Sequence, residues 1–192
     1  MILAKNFYQV SAPVLAKTLL GKLLVHQTKY GIISGKIVET EAYLANHDPA
    51  SHSFRGETER NKMMFGPGGL AYIYFTYGMH YCLNAVSSKI GRGEAVLIRA
   101  LEPVDGLQFM QKMRSQTNIK NLCNGPAKLC QALMIDKSLN GVDLTKSNLM
   151  IKDLETIKPK DILTTTRIGI TEAKALNLRF YIKNNPFVSV RP

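Results

Sequence analysis

Acidic residues and cysteines are both scarce in this chain. Only 14 aspartates and glutamates stand against 25 lysines and arginines, which leaves a net charge of +11 over 192 residues. The three cysteines, Cys82, Cys123 and Cys130, form no CxxC pair. An odd count without regular spacing predicts reduced thiols that pack in the core, in a reducing compartment. The four histidines show no zinc spacing, so we predict no structural metal.

Long apolar segments and common nucleotide-binding or hydrolase motifs are also absent. No run is long enough to span a membrane, and Lys17, Gly21 and Lys22 interrupt the partly apolar start. We therefore expect a soluble, cytoplasmic protein without a membrane partner. The sequence contains neither a GxxxxGK[ST] phosphate loop nor a GxSxG elbow, which argues against P-loop and α/β-hydrolase chemistry.

What is present predicts one folded domain. The length allows a sizeable core, and 45% of the residues are hydrophobic. Short predicted strands and three or four irregularly placed helices occur without a repeat, a heptad pattern or an interdomain linker. We predict a single mixed α+β domain over residues 1–192, with a curved, largely antiparallel sheet, surrounding helices and a protruding β-hairpin.

The basic excess favours a polyanionic partner, either nucleic acid or an anionic membrane surface. The alternative, that the basic surface binds nothing anionic, stays open at this point. An apolar strand predicted over residues 95–101 contains one charge, Arg99. An arginine in such a strand is expected to have a carboxylate or a phosphate as its partner.

The strand predicted over Lys36 to Leu44 (KIVETEAYL) concentrates acid in an otherwise basic chain. Alternation places Glu39, Glu41 and Tyr43 on one face. Two carboxylates and a phenol on a mostly apolar strand are costly unless that face lines a polar site. The opposite face is predicted to carry Val38, Thr40 and Ala42.

Two further segments suggest contacts with a ligand. Residues 45–69 form a long polar loop, and loops of this length in compact domains are usually functional or disordered. Residues 71–87 predict a hairpin that turns at Gly78 and presents Tyr77 and Met79. Large apolar groups at an exposed tip are unfavourable unless they enter a partner, such as a DNA stack, or pack on the protein's own core.

Several residues are predicted to begin helices. Lys128 lies in the first turn of the helix that Asn124 is predicted to cap, and the helix dipole disfavours a cation at that end. A phosphate docked at that terminus would account for the lysine, and a solvated lysine is the alternative. The predicted N-caps are Ser11, Asp105, Asn124 and Thr171.

Carboxylates, aromatic residues, an arginine and a basic surface together suit hydrolysis of an N-glycosidic bond in DNA. A carboxylate can deprotonate the attacking water and stabilise the oxocarbenium-like transition state. Aromatic faces can stack on a flipped base. From these residues alone either Glu39 or Glu41 could be the carboxylate, and other hydrolases and non-catalytic binders remain open.

The sequence blocks IVETEAY, TERN, MFGPGGLAYIYFTYGMHYCLN, LIRALEP, NGPAKLCQAL and RFYIKNNPFVSV resemble the alkyladenine (3-methyladenine) DNA glycosylase family. The resemblance runs in order from about residue 10 to the C-terminus. It implies a monofunctional enzyme that removes 3-methyladenine, 7-methylguanine, hypoxanthine and ethenoadenine from double-stranded DNA without a metal or an organic cofactor. It also implies a compact, bacterial-type, monomeric member that associates with the nucleoid.

The same resemblance assigns roles to individual residues. Glu41 becomes the general base, and Arg99 and the backbone of Ile168 help to hold the water. Glu39 is then a structural partner for a basic residue or a backbone donor. Asn84 crowds the exocyclic amine of guanine. The residues implied to bind the flipped purine are Tyr43, Ala50, His52, Tyr74 and Asn84.

The resemblance also implies the contacts with DNA. Tyr77 is the intercalating residue, and Met79 lies beside it. Arg60, Arg114 and Lys128 are candidates for the phosphate backbone. Two alternatives to a glycosylase are a non-catalytic DNA-binding module with the same wedge hairpin and a hydrolase of free nucleosides.

Overall fold

The structure is a computed structural model that describes residues 1–190, in which there are three α-helices and eight β-strands. The helices are α1 (Ala12–Leu19), α2 (Leu107–Arg114) and α3 (Pro126–Ala132). The strands are β1 (Leu23–Thr28), β2 (Gly31–Tyr43), β3 (Ala71–Thr76), β4 (His80–Ser87), β5 (Glu94–Asp105), β6 (Leu149–Lys152), β7 (Ile162–Thr165) and β8 (Arg179–Ile182). Short 3-10 helices span Lys5–Tyr8, Lys62–Phe65, Ile119–Asn121, Lys137–Leu139 and Pro159–Asp161.

All eight strands belong to one antiparallel sheet. Its order is β3-β4-β5-β2-β1-β6, and β8, which also pairs with β7, joins the second half of β2. The ladder between β2 and β5 shifts register at Ser34/Gly35, Ile37/Glu39 and Glu39/Thr40. Because bulges increase the local twist, the sheet curls into a half-barrel. The predicted α+β class, with a curved antiparallel sheet in a single domain, is confirmed.

The bulges change the alternation that was predicted for β2. Thr40 and Ala42 face the core, since Thr40 Oγ1 donates to a backbone carbonyl of α1 at 2.9 Å and Ala42 belongs to the main cluster. Val38, predicted on the same face, packs instead in a separate small cluster. The register shift between Ile37 and Glu39 gives β2 an extra residue, which moves Val38 out of phase.

The main core lies between the curled sheet and the helices. Leu15 and Leu19 of α1 are fully buried against β2 and β5, and Leu129 of α3 is buried against β4 and β5. Cys123 and Cys130 belong to this core as free thiols. Among residues 1–190, no helix is both long and apolar enough to cross a membrane.

Of the predicted helix caps, Ser11 occupies the N-cap position of α1 without a capping bond, and Asp105 is wrong. Ser11 precedes α1, but its side chain makes no capping bond; the Glu94 carboxylate accepts the first N–H of α1 at 3.0 Å. Asp105 ends β5, where its carboxylate accepts the Ser34 hydroxyl at 2.5 Å. Helix α2 starts after Gly106, whose φ of 78° suits glycine. At α1 a carboxylate distant in sequence replaces the local cap, whereas α2 begins without a side-chain cap.

The other two caps are also wrong. Gly125 precedes α3, and the side chain of Asn124 accepts a hydrogen bond from Lys128 Nζ at 2.8 Å instead of capping the backbone. Thr171 begins no helix, because residues 171–178 form only bends and turns. Most of that segment is exposed, and a short helix without a packed face is not stable in water.

The predicted hairpin is present. Strands β3 and β4 pair from Ala71↔Ala85 to Thr76↔His80, and the tip lies between Thr76 and His80. Only β4 flanks β3, and β5 pairs with β4 only from Asn84 to Ser87, so the half of the hairpin toward the tip extends past β5.

Glu39 is the centre of a buried polar network that links four segments. Its Oε1 accepts hydrogen bonds from Arg99 Nε at 3.1 Å and Arg179 Nε at 2.7 Å, which come from β5 and β8. Ser189 donates its backbone N–H to Oε2 at 2.6 Å and its hydroxyl to Oε1 at 2.8 Å. As predicted, Glu39 is a structural partner for basic residues and a backbone donor.

Replacing Glu39 by glutamine should destabilise the protein strongly. Two buried guanidinium groups would lose a shared carboxylate, and breaking a buried ion pair costs about 3–5 kcal/mol. Urea unfolding followed by circular dichroism measures the change. The matched control is Glu59→Gln, which removes an exposed pair with Lys62 and should leave the midpoint unchanged. Equal midpoints for the two variants would contradict the structural role of Glu39.

Candidate active site

A cavity of about 540 Å³ lies between the β3–β4 hairpin, the loop of residues 45–69 and the segment of residues 168–172. Its wall contains aromatic and polar side chains from all three parts of the chain. Among residues 1–190 there is no cluster of three or more histidine, cysteine or acidic side chains that could hold a metal ion. The predicted site residues that line the cavity are Tyr43, Ala50, His52, Tyr74, Tyr77, Asn84, Arg99 and Ile168.

Glu41 is fully buried directly behind this wall. Its Oε1 accepts the Ile168 N–H at 2.8 Å, and its Oε2 accepts the Tyr43 hydroxyl at 3.0 Å. Arg99 Nη1 lies 3.2 Å from Oε2. Tyr43, Arg99 and Ile168 all line the cavity, so these three residues are what separates the Glu41 carboxylate from it. The direct contact between Ile168 and Glu41 was not predicted.

Arg99 lies between the two carboxylates of β2. Its Nε is 3.1 Å from Glu39 Oε1 and its Nη1 is 3.2 Å from Glu41 Oε2. A carboxylate or a phosphate was predicted as the partner of this arginine, and Arg99 has two carboxylate partners. Burial opposes the charge, but Glu41 and Glu39 together raise the pKa of Arg99 above its ordinary value. The Arg99 guanidinium therefore remains positively charged beside the Glu41 carboxylate.

One wall of the cavity is aromatic and uncharged. His52 Nδ1 is 2.8 Å from the Tyr72 hydroxyl, and its ring meets that of Tyr74 edge to face at 4.5 Å. Burial raises the pKa of Tyr72 to about 12 and also raises the pKa values of Tyr43 and Tyr74. Burial lowers the pKa of His52, and the nearby Arg60 cation lowers it further. Near neutral pH these rings present neutral faces.

Hydrogen bonds inside the protein fix the other polar groups of the wall. Asn84 Nδ2 donates to the Tyr72 carbonyl at 3.0 Å, which orients the amide at the cavity. In the loop, Asn61 Nδ2 donates to the His52 carbonyl at 2.7 Å. Cys82 is a buried free thiol on the same wall, and burial raises its pKa. The polar edge of the cavity is thus preformed.

Sequence reasoning missed three residues of this region. Tyr72 was not among the predicted site residues, although its alternation with Tyr74 along β3 was the signal for a shared face. Asp48 and Arg167 were not predicted at all, yet they form a fully buried ion pair at 2.6 Å. They are 119 residues apart, and no local pattern relates them. Their pair lies behind Tyr43, whose ring centroid is 4.7 Å from the Arg167 guanidinium.

The hairpin tip does not pack on the protein's own core. Tyr77 is 83% exposed and Met79 is 69% exposed. Tyr77 and Gly78 both adopt positive φ values, 50° and 67°, as in hairpin turns that match the twist of the strands. Of the two alternatives for this tip, the structure contradicts packing on the core.

The three basic residues predicted at the DNA backbone lie in different surroundings. Arg60 reaches over the Tyr74 ring at 6.0 Å, close to the cavity. Arg114 Nε donates to the Leu122 carbonyl at 3.2 Å, and Lys128 Nζ donates to Asn124, so both are partly engaged within the protein. Their contact with phosphates stays a prediction.

A family model for methylpurine-DNA glycosylases matches residues 6–186. The chain belongs to the methylpurine-DNA glycosylase family. A protein of Carboxydothermus hydrogenoformans is 52% identical over 98% of this chain and 99% of its own length. A protein of Methanoculleus marisnigri is 48% identical over 100% of both chains. One from Francisella tularensis is 53% identical over 91% of both. All three are named provisionally as 3-methyladenine DNA glycosylases.

Membership of the methylpurine-DNA glycosylase family confirms the resemblance found in the sequence. The chain is a DNA glycosylase of DNA repair, and its substrate is DNA. A DNA substrate accounts for the net charge of +11. Lysine and arginine side chains that neutralise phosphates release counterions from the DNA, and this release favours binding.

The pKa of His52 should lie below its ordinary value of 6.5. Arg60→Ala should raise it only part of the way, because burial, the larger cause, remains. An NMR titration of the imidazole measures both values. The control is Arg55→Ala, which removes a neighbouring loop arginine and should leave the pKa unchanged.

The same shift predicts a pH dependence of stability. Since the unfolded state protonates His52 at higher pH than the folded state, the free energy of unfolding should fall as the pH drops below about 6.5. His52→Gln should lose this part of the pH slope. A His52 pKa at or above 6.5 would contradict the neutral aromatic wall.

Proposed function

We propose that the chain excises alkylated and deaminated purines, namely 3-methyladenine, 7-methylguanine, hypoxanthine and ethenoadenine, from double-stranded DNA. The observation that carries this proposal is the position of Glu41, a buried carboxylate held by three groups that also line an aromatic cavity. Family membership and the names of the relatives support a purine substrate.

Glu41 acts as the general base in this proposal. It takes a proton from a water molecule whose oxygen attacks C1′ of the deoxyribose, while the bond to the purine nitrogen breaks and the purine leaves with the bonding electrons. The carboxylate also stabilises the positive charge that develops on the sugar. Arg99 and the backbone of Ile168 orient the carboxylate and the water. The product is an abasic site, formed without an enzyme–DNA covalent bond.

The cavity binds the flipped purine between aromatic side chains. Tyr43, His52 and Tyr74 supply neutral faces for stacking, which suits a base removed from the duplex. The backbone around Ala50 and His52 contacts the purine edge. Asn84, fixed by its bond to the Tyr72 carbonyl, crowds the exocyclic amine of guanine and disfavours normal guanine.

The hairpin tip enters the DNA. Tyr77 fills the gap that the flipped nucleotide leaves, and Met79 lies beside it against the stacked bases. Arg60, Arg114 and Lys128 contact phosphates near the lesion. The exposure of both apolar tip residues supports this role, because an exposed apolar tip is otherwise unfavourable.

The two alternatives fit the structure less well. A non-catalytic DNA-binding module would have no use for a buried carboxylate held by Arg99, Tyr43 and Ile168, since such a group is costly. A hydrolase of free nucleosides would not need the exposed wedge. The proposed enzyme acts as a monomer, with no cofactor.

Glu41→Gln should nearly abolish excision. The amide keeps the size of the side chain but cannot accept the proton, and general-base catalysis contributes about 10²–10⁴-fold. Release of hypoxanthine from a labelled duplex, followed as abasic-site cleavage in alkali, measures the rate. Glu102→Gln on β5 is the control, because Glu102 pairs with Lys36 outside the cavity. Equal excision by Glu41→Gln and wild type would overturn the assignment of the base.

Tyr77→Ala should weaken base flipping and leave Glu41 in place. Loss of one stacking contact of about 1–3 kcal/mol corresponds to a decrease of roughly 5- to 150-fold in productive binding. The fluorescence of ethenoadenine in a duplex reports flipping, and single-turnover excision reports chemistry. Tyr30→Ala, another exposed tyrosine, serves as the control. Wild-type flipping in Tyr77→Ala would show that the tip is not a wedge.

A further inference from the structure

Arg167 and Asp48 form a bidentate, fully buried ion pair next to the cavity. Arg167 Nη1 and Nη2 donate to the two carboxylate oxygens of Asp48 at 2.7 and 2.6 Å. Both side chains are completely buried. Desolvation can cancel the attraction in such a pair, so its presence is weak support for a purely stabilising role. The groups that the pair contacts point to another role.

The pair contacts three parts of the candidate site. Arg167 Nη1 also donates to the Ala42 carbonyl at 3.1 Å, between Glu41 and Tyr43 in β2. Asp48 accepts the Leu44 N–H at 3.0 Å, which ties the start of the binding loop to the end of β2. The guanidinium packs on the Tyr43 ring at 4.7 Å.

The residue that follows Arg167 is the one that contacts the candidate base. The Ile168 N–H donates to Glu41 at 2.8 Å, and residues 168–172 line the cavity. Holding Arg167 therefore also holds the peptide group that orients Glu41. A guanidinium fork fixes orientation as well as distance, which an ammonium group cannot do.

We propose that Arg167, paired with Asp48, is a positioning residue that sets the Tyr43 ring against the flipped purine and the Ile168 amide against Glu41. This inference rests on the proposed excision of purines by Glu41. It links purine stacking and water activation through one buried guanidinium, so loosening that group disturbs both steps together.

Arg167→Lys tests the inference because it keeps the positive charge and removes the fork. A misplacement of about 1 Å can cost about 10²-fold in rate, so single-turnover excision of hypoxanthine should fall by about that factor. The fluorescence change of ethenoadenine on flipping should also decrease. Hydrogen exchange should become faster in residues 42–48 and 166–170 and stay unchanged in β5.

Two further variants separate positioning from stability. Asp48→Asn keeps Arg167 and the side-chain volume but weakens the fork, and it should change the same measurements in the same direction even where Arg167→Lys does not fold. Lys22→Met removes another buried cation, which pairs with Asp153 away from the cavity. It should lower the unfolding midpoint and leave excision unchanged at temperatures where it is folded.

The outcomes differ for the inference and for the proposed function. Wild-type excision, flipping and exchange in Arg167→Lys and Asp48→Asn would overturn the positioning role. So would faster exchange spread evenly over all strands, as expected for general destabilisation. If wild type itself excises nothing, or Glu41→Gln matches it, the proposed function fails. Hydrogen exchange does not depend on activity, so it still tests whether Arg167 positions the Ile168 amide. If residues 166–170 stay as protected in Arg167→Lys as in wild type, that part of the inference is overturned.

Discussion

The arrangement of this protein depends on one guanidinium that two carboxylates share inside a sheet. Glu39 and Glu41 lie on the same face of β2, and without Arg99 between them their desolvation and mutual repulsion would oppose folding. The two carboxylates differ in their remaining partners. Glu39 is saturated by Arg179 and Ser189, whereas the other partners of Glu41 line the cavity. One carboxylate therefore links segments of the fold, and the other is held by groups that line the cavity.

The cavity combines a rigid part and a part that is held by buried bonds. Tyr74, Asn84 and Arg99 project from neighbouring strands, whose spacing is fixed by the ladders of the sheet. His52 and Ile168 lie on segments without regular structure, and specific hydrogen bonds hold them. A site built in this way can be preformed without extending the sheet around it.

Sequence reasoning predicted most of what depends on local spacing. Alternation placed Glu39, Glu41 and Tyr43 on one face, and the lone charge in β5 predicted an acidic partner for Arg99. Val38 was misplaced because a bulge depends on the register between two strands and not on either strand alone. The ion pair of Asp48 and Arg167 joins residues 119 positions apart, so no spacing rule could relate them. The choice of Glu41 over Glu39 came from the family resemblance, and the partners of each glutamate now give it a physical basis.

The left-handed backbone at Tyr77 and Gly78 has a mechanical consequence. A turn with both residues at positive φ matches the twist of β3 and β4, so the tyrosine is carried at the end of two paired strands. If this tip enters the duplex as proposed, the DNA must unstack to admit the side chain. Opening a base pair weakened by damage costs less than opening an intact one. A wedge carried on paired strands would then meet the resistance of the double helix at each step before any atom of the lesion reaches the cavity.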